Sequence, residues 1–146
     1  MNPNLLFLLN LLSTWYMVGL IWMVQIVHYN LYDRVGTDAF AHYEAEHNRL
    51  ITPIVGVPML IEIITAAALL WATPDFLPKP VVWLGLGLIL VIWLSTLALQ
   101  IPAHQKLLSG FDLASYERLV NSNWIRTASW SARGALLAYY TSTALR

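Results

Sequence analysis

The chain has 146 residues, is 58% hydrophobic and 11% charged, and is formally neutral at pH 7, with a mean hydropathy of +0.60. Charged residues make up about a quarter of an average soluble protein, so this is the composition of a membrane protein, and its charge balance argues against a nucleic acid as partner. Cysteine is absent, which excludes disulfides, thiolate ligands and cysteine-linked haem.

Four apolar stretches follow in chain order, about 5–32, 50–72, 81–103 and 119–144. Each reaches the roughly 20 residues that a helix needs to cross about 30 Å of hydrocarbon. They predict an all-α integral membrane fold: a four-transmembrane-helix bundle with short interfacial helices, in a single domain over residues 1–146. The first stretch has no basic n-region and no A-x-A-like site after it, and reads as a retained span.

Beyond "DRVG", Asp38–Asn48 predicts a short amphipathic interfacial helix with Thr37 as its N-cap. Phe40, Tyr43 and His47 share one face of it, and His42, Glu46 and Arg49 another. Pro53 stands near the start of span two, where its missing N–H costs little, whereas Pro58 should bend the helix. "TPDFLPKP" is a tight link between spans two and three, with Trp71 and Trp83 beside it at the depth of an interfacial aromatic belt. Pro102 closes or kinks span three, and "HQKLLSGFDLASYERLV" supplies a second interfacial segment.

Arg34, Arg49, Lys106 and Arg118 lie in the loops after spans one and three, against Lys79 and Arg146 on the other side. The positive-inside rule then predicts a multi-pass protein of the cell membrane with both termini extracytoplasmic. The stretches "QIVHYNLYDRVGTDAFAHYEAEHNRLIT" and "QIPAHQKLLSGFDLASYERLVNSNWIRT" align with small gaps. That alignment predicts a tandem repeat of two-helix units about an axis along the membrane normal.

Polar residues recur at helical spacing in every span: Gln25, His28 and Tyr32; Glu62 and Thr65; Thr96, Gln100 and His104; Asn123, Arg126, Trp130 and Arg133. Facing lipid, such groups would each cost several kcal/mol, so the stripes should face one another. His28, His47, His104, Asn123 and Arg126 fall at one level near one membrane surface. Glu62 lies about 18 Å into span two at 1.5 Å per residue, near the depth of Arg133, which makes Arg133 its first candidate partner and Arg126 the competitor.

Three histidines with a carboxylate, His28, His47, His104 and Glu44, form a donor set suited to iron or another divalent transition metal. Haem held axially by His28 and His104 is the alternative. Glu62, His47 and Arg126 are the candidate catalytic residues, with Glu62 handling protons. Trp93, Asn123, Arg126, Trp130 and Arg133 are the candidate substrate contacts.

The inward histidine near the end of helix one and the stretch "NWIRTASWSAR" resemble small four-helix membrane proteins of the anthrone oxygenase-like group. The resemblance implies an aromatic, quinone-forming substrate and molecular oxygen, and carries over no catalytic set. The leading expectation is therefore a membrane oxidoreductase or oxygenase acting on a lipophilic, aromatic or quinone-like small molecule amid membrane lipids. The alternatives are a non-catalytic haem-binding protein and a transporter or accessory subunit, working as a homo-oligomer or in a larger membrane complex.

Overall fold

The computed structural model describes residues 2–145. Helix α1, Pro3–Met23, starts at the N-cap Asn2, whose Oδ1 accepts the Asn4 N–H at 2.9 Å. It runs on without interruption through a π turn, Val24–His28, and a 3-10 turn, Tyr29–Arg34. Gly36, at φ 82°, takes the left-handed conformation that redirects the chain into α2, Thr37–Ala68. Helix α3, Lys79–Ser95, passes through a second π turn, Thr96–Gln100, into α4, Ile101–Leu107. A turn containing Gly110 at φ 129° leads to α5, Leu113–Ala144. Among the described residues there is no strand. Three continuous helical runs, Pro3–Arg34, Thr37–Ala68 and Lys79–Leu107, are long and apolar enough to cross a membrane.

Two expected boundaries move. Asp38–Asn48 is not a separate interfacial helix but the first three turns of α2, which passes unbroken through Pro53 and Pro58. Thr37 is the first helical residue rather than the cap, and Gly36 holds the cap position with no side-chain bond. Each proline removes one backbone hydrogen bond, which a long helix packed against neighbours tolerates. Likewise span three continues past Pro102, just after the π turn, at the loss of one backbone hydrogen bond. The second expected interfacial segment shrinks to a short turn. Asp112 caps α5 by accepting the Ser115 N–H at 2.8 Å, so the fourth helix begins at Leu113. Hydrogen bonds from the Ser115 side chain and backbone hold the Asp112 carboxyl below the usual carboxylate range.

Around the bundle α1 packs between α2 and α5, α3 packs on α5, and α2 meets α3 only sparsely. The core is layered. Leu6, Phe7, Leu69, Leu77, Val81, Val82 and Leu137 fill one end. Met17, Ile21, Met59, Ile92 and Trp130 fill the middle. Tyr29, Tyr32, Phe40, Ala103, Leu107 and Leu119 fill the end where α2 and α5 begin. Trp71 and Trp83 are exposed at the opposite end, in keeping with an aromatic belt.

Candidate functional site

A cavity of about 480 Å³ lies where α2 and α3 diverge, and its walls are almost wholly apolar. Met17 and Ile21 of α1, Val55 and Met59 of α2 and Trp93 of α3 line its depth. Exposed Leu97, Ile101 and Leu108 form its lip, so its mouth is apolar and opens sideways from the bundle. At Gly56 a side chain would meet nothing within 4 Å, which leaves that part of the wall open.

Three polar groups face the end of the cavity near the starts of α2 and α5: Tyr29, His47 and His104, with Arg126 of α5 behind them. Helical phase supplies this arrangement. Tyr29 lies four residues after Gln25 and three before Tyr32, so it shares their inward stripe and is buried with them. The turn before α4 sets the phase in which His104 meets α2.

The histidines form two hydrogen-bonded systems. His104 Nδ1 lies 2.5 Å from Glu44 Oε1, and its Nε2 lies 3.2 Å from the Tyr29 hydroxyl. Glu44 is fully buried, and the same oxygen accepts from Asn48 Nδ2 at 3.1 Å. Its other oxygen and the Tyr32 hydroxyl are both buried and lie close to one another. A carboxylate at Nδ1 fixes the tautomer in which Nδ1 carries the proton and Nε2 accepts from tyrosine. His28 Nε2 lies 2.9 Å from His47 Nδ1, and the His47 ring stacks on that of His104 with centroids 5.4 Å apart.

The four expected metal ligands are thus neighbours, but as two bonded pairs rather than around one vacant point. Among the described residues no three His, Asp or Glu side chains are arranged to hold a metal ion. Nor do His28 and His104 frame a porphyrin, because His47 packs against both rings, at 4.5 and 5.4 Å, and would have to be displaced.

Glu62 pairs with Arg133 rather than Arg126, and neither member lines the cavity. Arg133 Nε lies 3.5 Å from Glu62 Oε1, which also accepts from Thr14 at 2.7 Å, while Trp130 Nε1 donates to Glu62 Oε2 at 2.8 Å. Arg133 further donates to Asn10 Oδ1 and to the Gly85 carbonyl at 3.3 Å. Asn10 returns two bonds to α2, at the Glu62 carbonyl and Thr65. This network ties all four long helices together. Asn123 is spent on Gln25, whose Oε1 accepts from it at 2.8 Å, and so it too lies outside the cavity.

Of the candidate residues, His47, Trp93, His104 and Arg126 therefore meet at the cavity. His28 and Glu44 stand behind the histidines they touch, and Trp130 and Arg133 belong to the deeper network. Tyr29 and Asn48, absent from the sequence-based set, complete the relay. Asn10 and Thr14 were legible as an i, i+4 polar pair on α1, in reach of Glu62 once α1 and α2 are known to pack together. Compared with protein-family models, curated proteins and solved structures, the chain matches none.

Arg126 is 5% exposed and makes no hydrogen bond or ion pair with any described residue. Its guanidinium lies over the Trp130 ring, 5.2 Å from the centroid. Such a contact contributes about 0.5–2 kcal/mol, against several kcal/mol for desolvating a cation. The cavity side of Arg126 is left unsatisfied.

Proposed function

We propose that the protein is a membrane-embedded oxidoreductase that binds a lipophilic, aromatic or quinone-like compound in the cavity and moves its protons through Tyr29, His104 and Glu44. The observation that carries this reading is the relay itself. An apolar chamber open to its surroundings ends in a tyrosine hydroxyl on a histidine backed by a buried carboxylate. A histidine positioned in this way is a general base whose imidazolium form is stabilised by the carboxylate behind it.

In the oxygenase form of the reaction, an activated ring CH₂ beside a phenol or carbonyl gives a proton to Tyr29 as the tyrosine proton passes to His104 Nε2. Dioxygen takes up the carbanion's electrons. One oxygen atom stays as a carbonyl and the other leaves as water, so R₂CH₂ and O₂ become R₂C=O and H₂O. The resemblance to the anthrone oxygenase-like group points to the same class of substrate. Where His28 donates to His47 Nδ1, the His47 Nε2–H is free to bond a developing oxyanion in the chamber.

A metal-dependent form rests on the same four residues and requires the His28–His47 and His104–Glu44 bonds to be exchanged for metal bonds. A stoichiometric transition metal that disappears in His28→Ala would support it.

We further read α5 as the fourth span. Beyond its first three turns its charged residues are Arg126 and Arg133, both buried inside the bundle with Asn123. Every exposed residue between Trp124 and Tyr139 is apolar: Trp124, Ile125, Ala128, Ala132, Ala135 and Tyr139. The matching π turns, each containing the glutamine of a Gln-Ile pair or ending on it, favour the tandem two-helix repeat. Four spans, with the basic loops in the cytoplasm, put both termini outside a cell membrane.

The test is oxygen uptake by the reconstituted protein supplied with anthrone. The expected result is uptake that falls about 10²-fold or more in His104→Ala and clearly in Tyr29→Phe. Uptake no faster than in protein-free vesicles would contradict the reading.

A further inference from the structure

Four formally charged side chains are buried among the described residues: Glu44, Glu62, Arg126 and Arg133. Glu62 has Arg133 and Glu44 has His104. Among these four Arg126 alone has no partner, although it is 95% removed from solvent and borders the cavity. A lone cation in an apolar interior is unfavourable unless something completes it. The Trp130 ring contributes on one face only and offers no acceptor to the guanidinium N–H groups. The remaining approach is from the cavity, whose walls are largely apolar and whose lining includes no Asp or Glu.

We propose that Arg126 is the receptor for the anionic oxygen of a lipophilic acid, a carboxylate or phenolate on an apolar body, seated in this cavity. The inference deepens the functional reading above and rests on it, since the acid would be the substrate or its product. Guanidinium suits this task because its planar fork binds two oxygens at once or one oxyanion doubly, and because it stays charged in an apolar site. The apolar body lies against Met59, Val55 and Trp93, with the acidic oxygen at Arg126 and the neighbouring carbon or hydroxyl within the compass of Tyr29 and His104. A neutral hydrocarbon would fill the same volume and leave the cation bare. A phospholipid phosphate offers the same chemistry from another source.

The experiment uses the full chain in phosphatidylcholine nanodiscs, titrated with 9-anthracenecarboxylate and, separately, with 9-anthracenemethanol, two probes of one shape that differ in charge. Energy transfer from tryptophan to anthracene reports binding. The wild type should bind the carboxylate at least tenfold more tightly than the alcohol. Arg126→Met should lose that preference while keeping the alcohol within about twofold, and Arg126→Lys should keep part of it. Gly56→Phe, which fills the chamber without touching Arg126, should weaken both probes.

Equal binding of the two probes by the wild type, or a preference that survives Arg126→Met, overturns the inference while leaving the cavity reading in place. Binding of either probe that ignores Gly56→Phe, or no binding of either by the wild type, overturns the cavity reading and this inference together. Should phosphatidylglycerol added to the discs displace the carboxylate in the wild type, the anion is a lipid headgroup. Without displacement, it is a free lipophilic acid.

Discussion

Arg126 and Arg133 stand two turns apart on one face of α5, both buried, and they have opposite surroundings. Arg133 meets a carboxylate, an amide oxygen and a backbone carbonyl drawn from α1, α2 and α3. Arg126 meets a tryptophan face and the apolar cavity. The first arrangement is a closed knot in which each group answers another, and the bundle depends on it. The second is an incomplete one, in the part of the molecule where α2 and α3 separate. Burial alone would rank the two residues as equals. Partner counting distinguishes structure from site.

The largest expected effect comes from cutting the knot. Arg133→Met strands Glu62 as an uncompensated buried charge and should cost about 3–5 kcal/mol of stability, read as an early unfolding transition in detergent. Adding Glu62→Met to it should restore most of the loss. If it does not, the pair is less central than the geometry implies. Next comes the relay. Glu44→Gln keeps an acceptor for Asn48 but removes the charge behind His104, and should lower oxygen uptake with anthrone by about 10- to 100-fold, with the fold retained by circular dichroism.

Gly85→Ala is subtler. Its new methyl would sit 2.8 Å from Arg133 Nη1, so the guanidinium must shift, for a loss of about 1 kcal/mol in chemical unfolding. The smallest effect belongs to the α5 cap, far from both arginines. The Asp112 carboxyl is held below its ordinary range by Ser115, so its contribution is present above that range and is lost as pH falls through the lowered value. Asp112→Ala should lower the melting temperature slightly at neutral pH and remove that acid-side slope. A slope left unchanged would reassign it to other carboxylates.

Much of this was legible in the chain. Hydropathy located the apolar helices, and the i, i+3/i+4 stripes identified the inward faces, because a polar group in a bundle has nowhere else to go. Depth counting paired Glu62 with Arg133 over Arg126. Two physical facts hid the rest. Proline did not end helices, since packing outweighs one lost hydrogen bond, so the expected interfacial helix over Asp38–Asn48 merged into α2. And Tyr29, although in phase with Gln25 and Tyr32, is an aromatic side chain whose type alone does not separate packing from a polar role, so it was missed. Histidine depth brought His28, His47 and His104 together correctly, but spacing could not reveal that they would bond in pairs. Nor does the sequence mark Glu44 as fully buried, a burial that comes with the packing of α4 against α2 and the bond from His104.

The most direct test of the contrast is unfolding of Arg126→Met beside Arg133→Met, in the same ligand-free detergent and without probe or substrate. Arg126→Met should unfold no earlier than the wild type, because it deletes an unanswered buried charge, while Arg133→Met should unfold far earlier. A loss in Arg126→Met as large as that in Arg133→Met would contradict the contrast, and would make Arg126 a fastener of the bundle rather than the open half of a binding site.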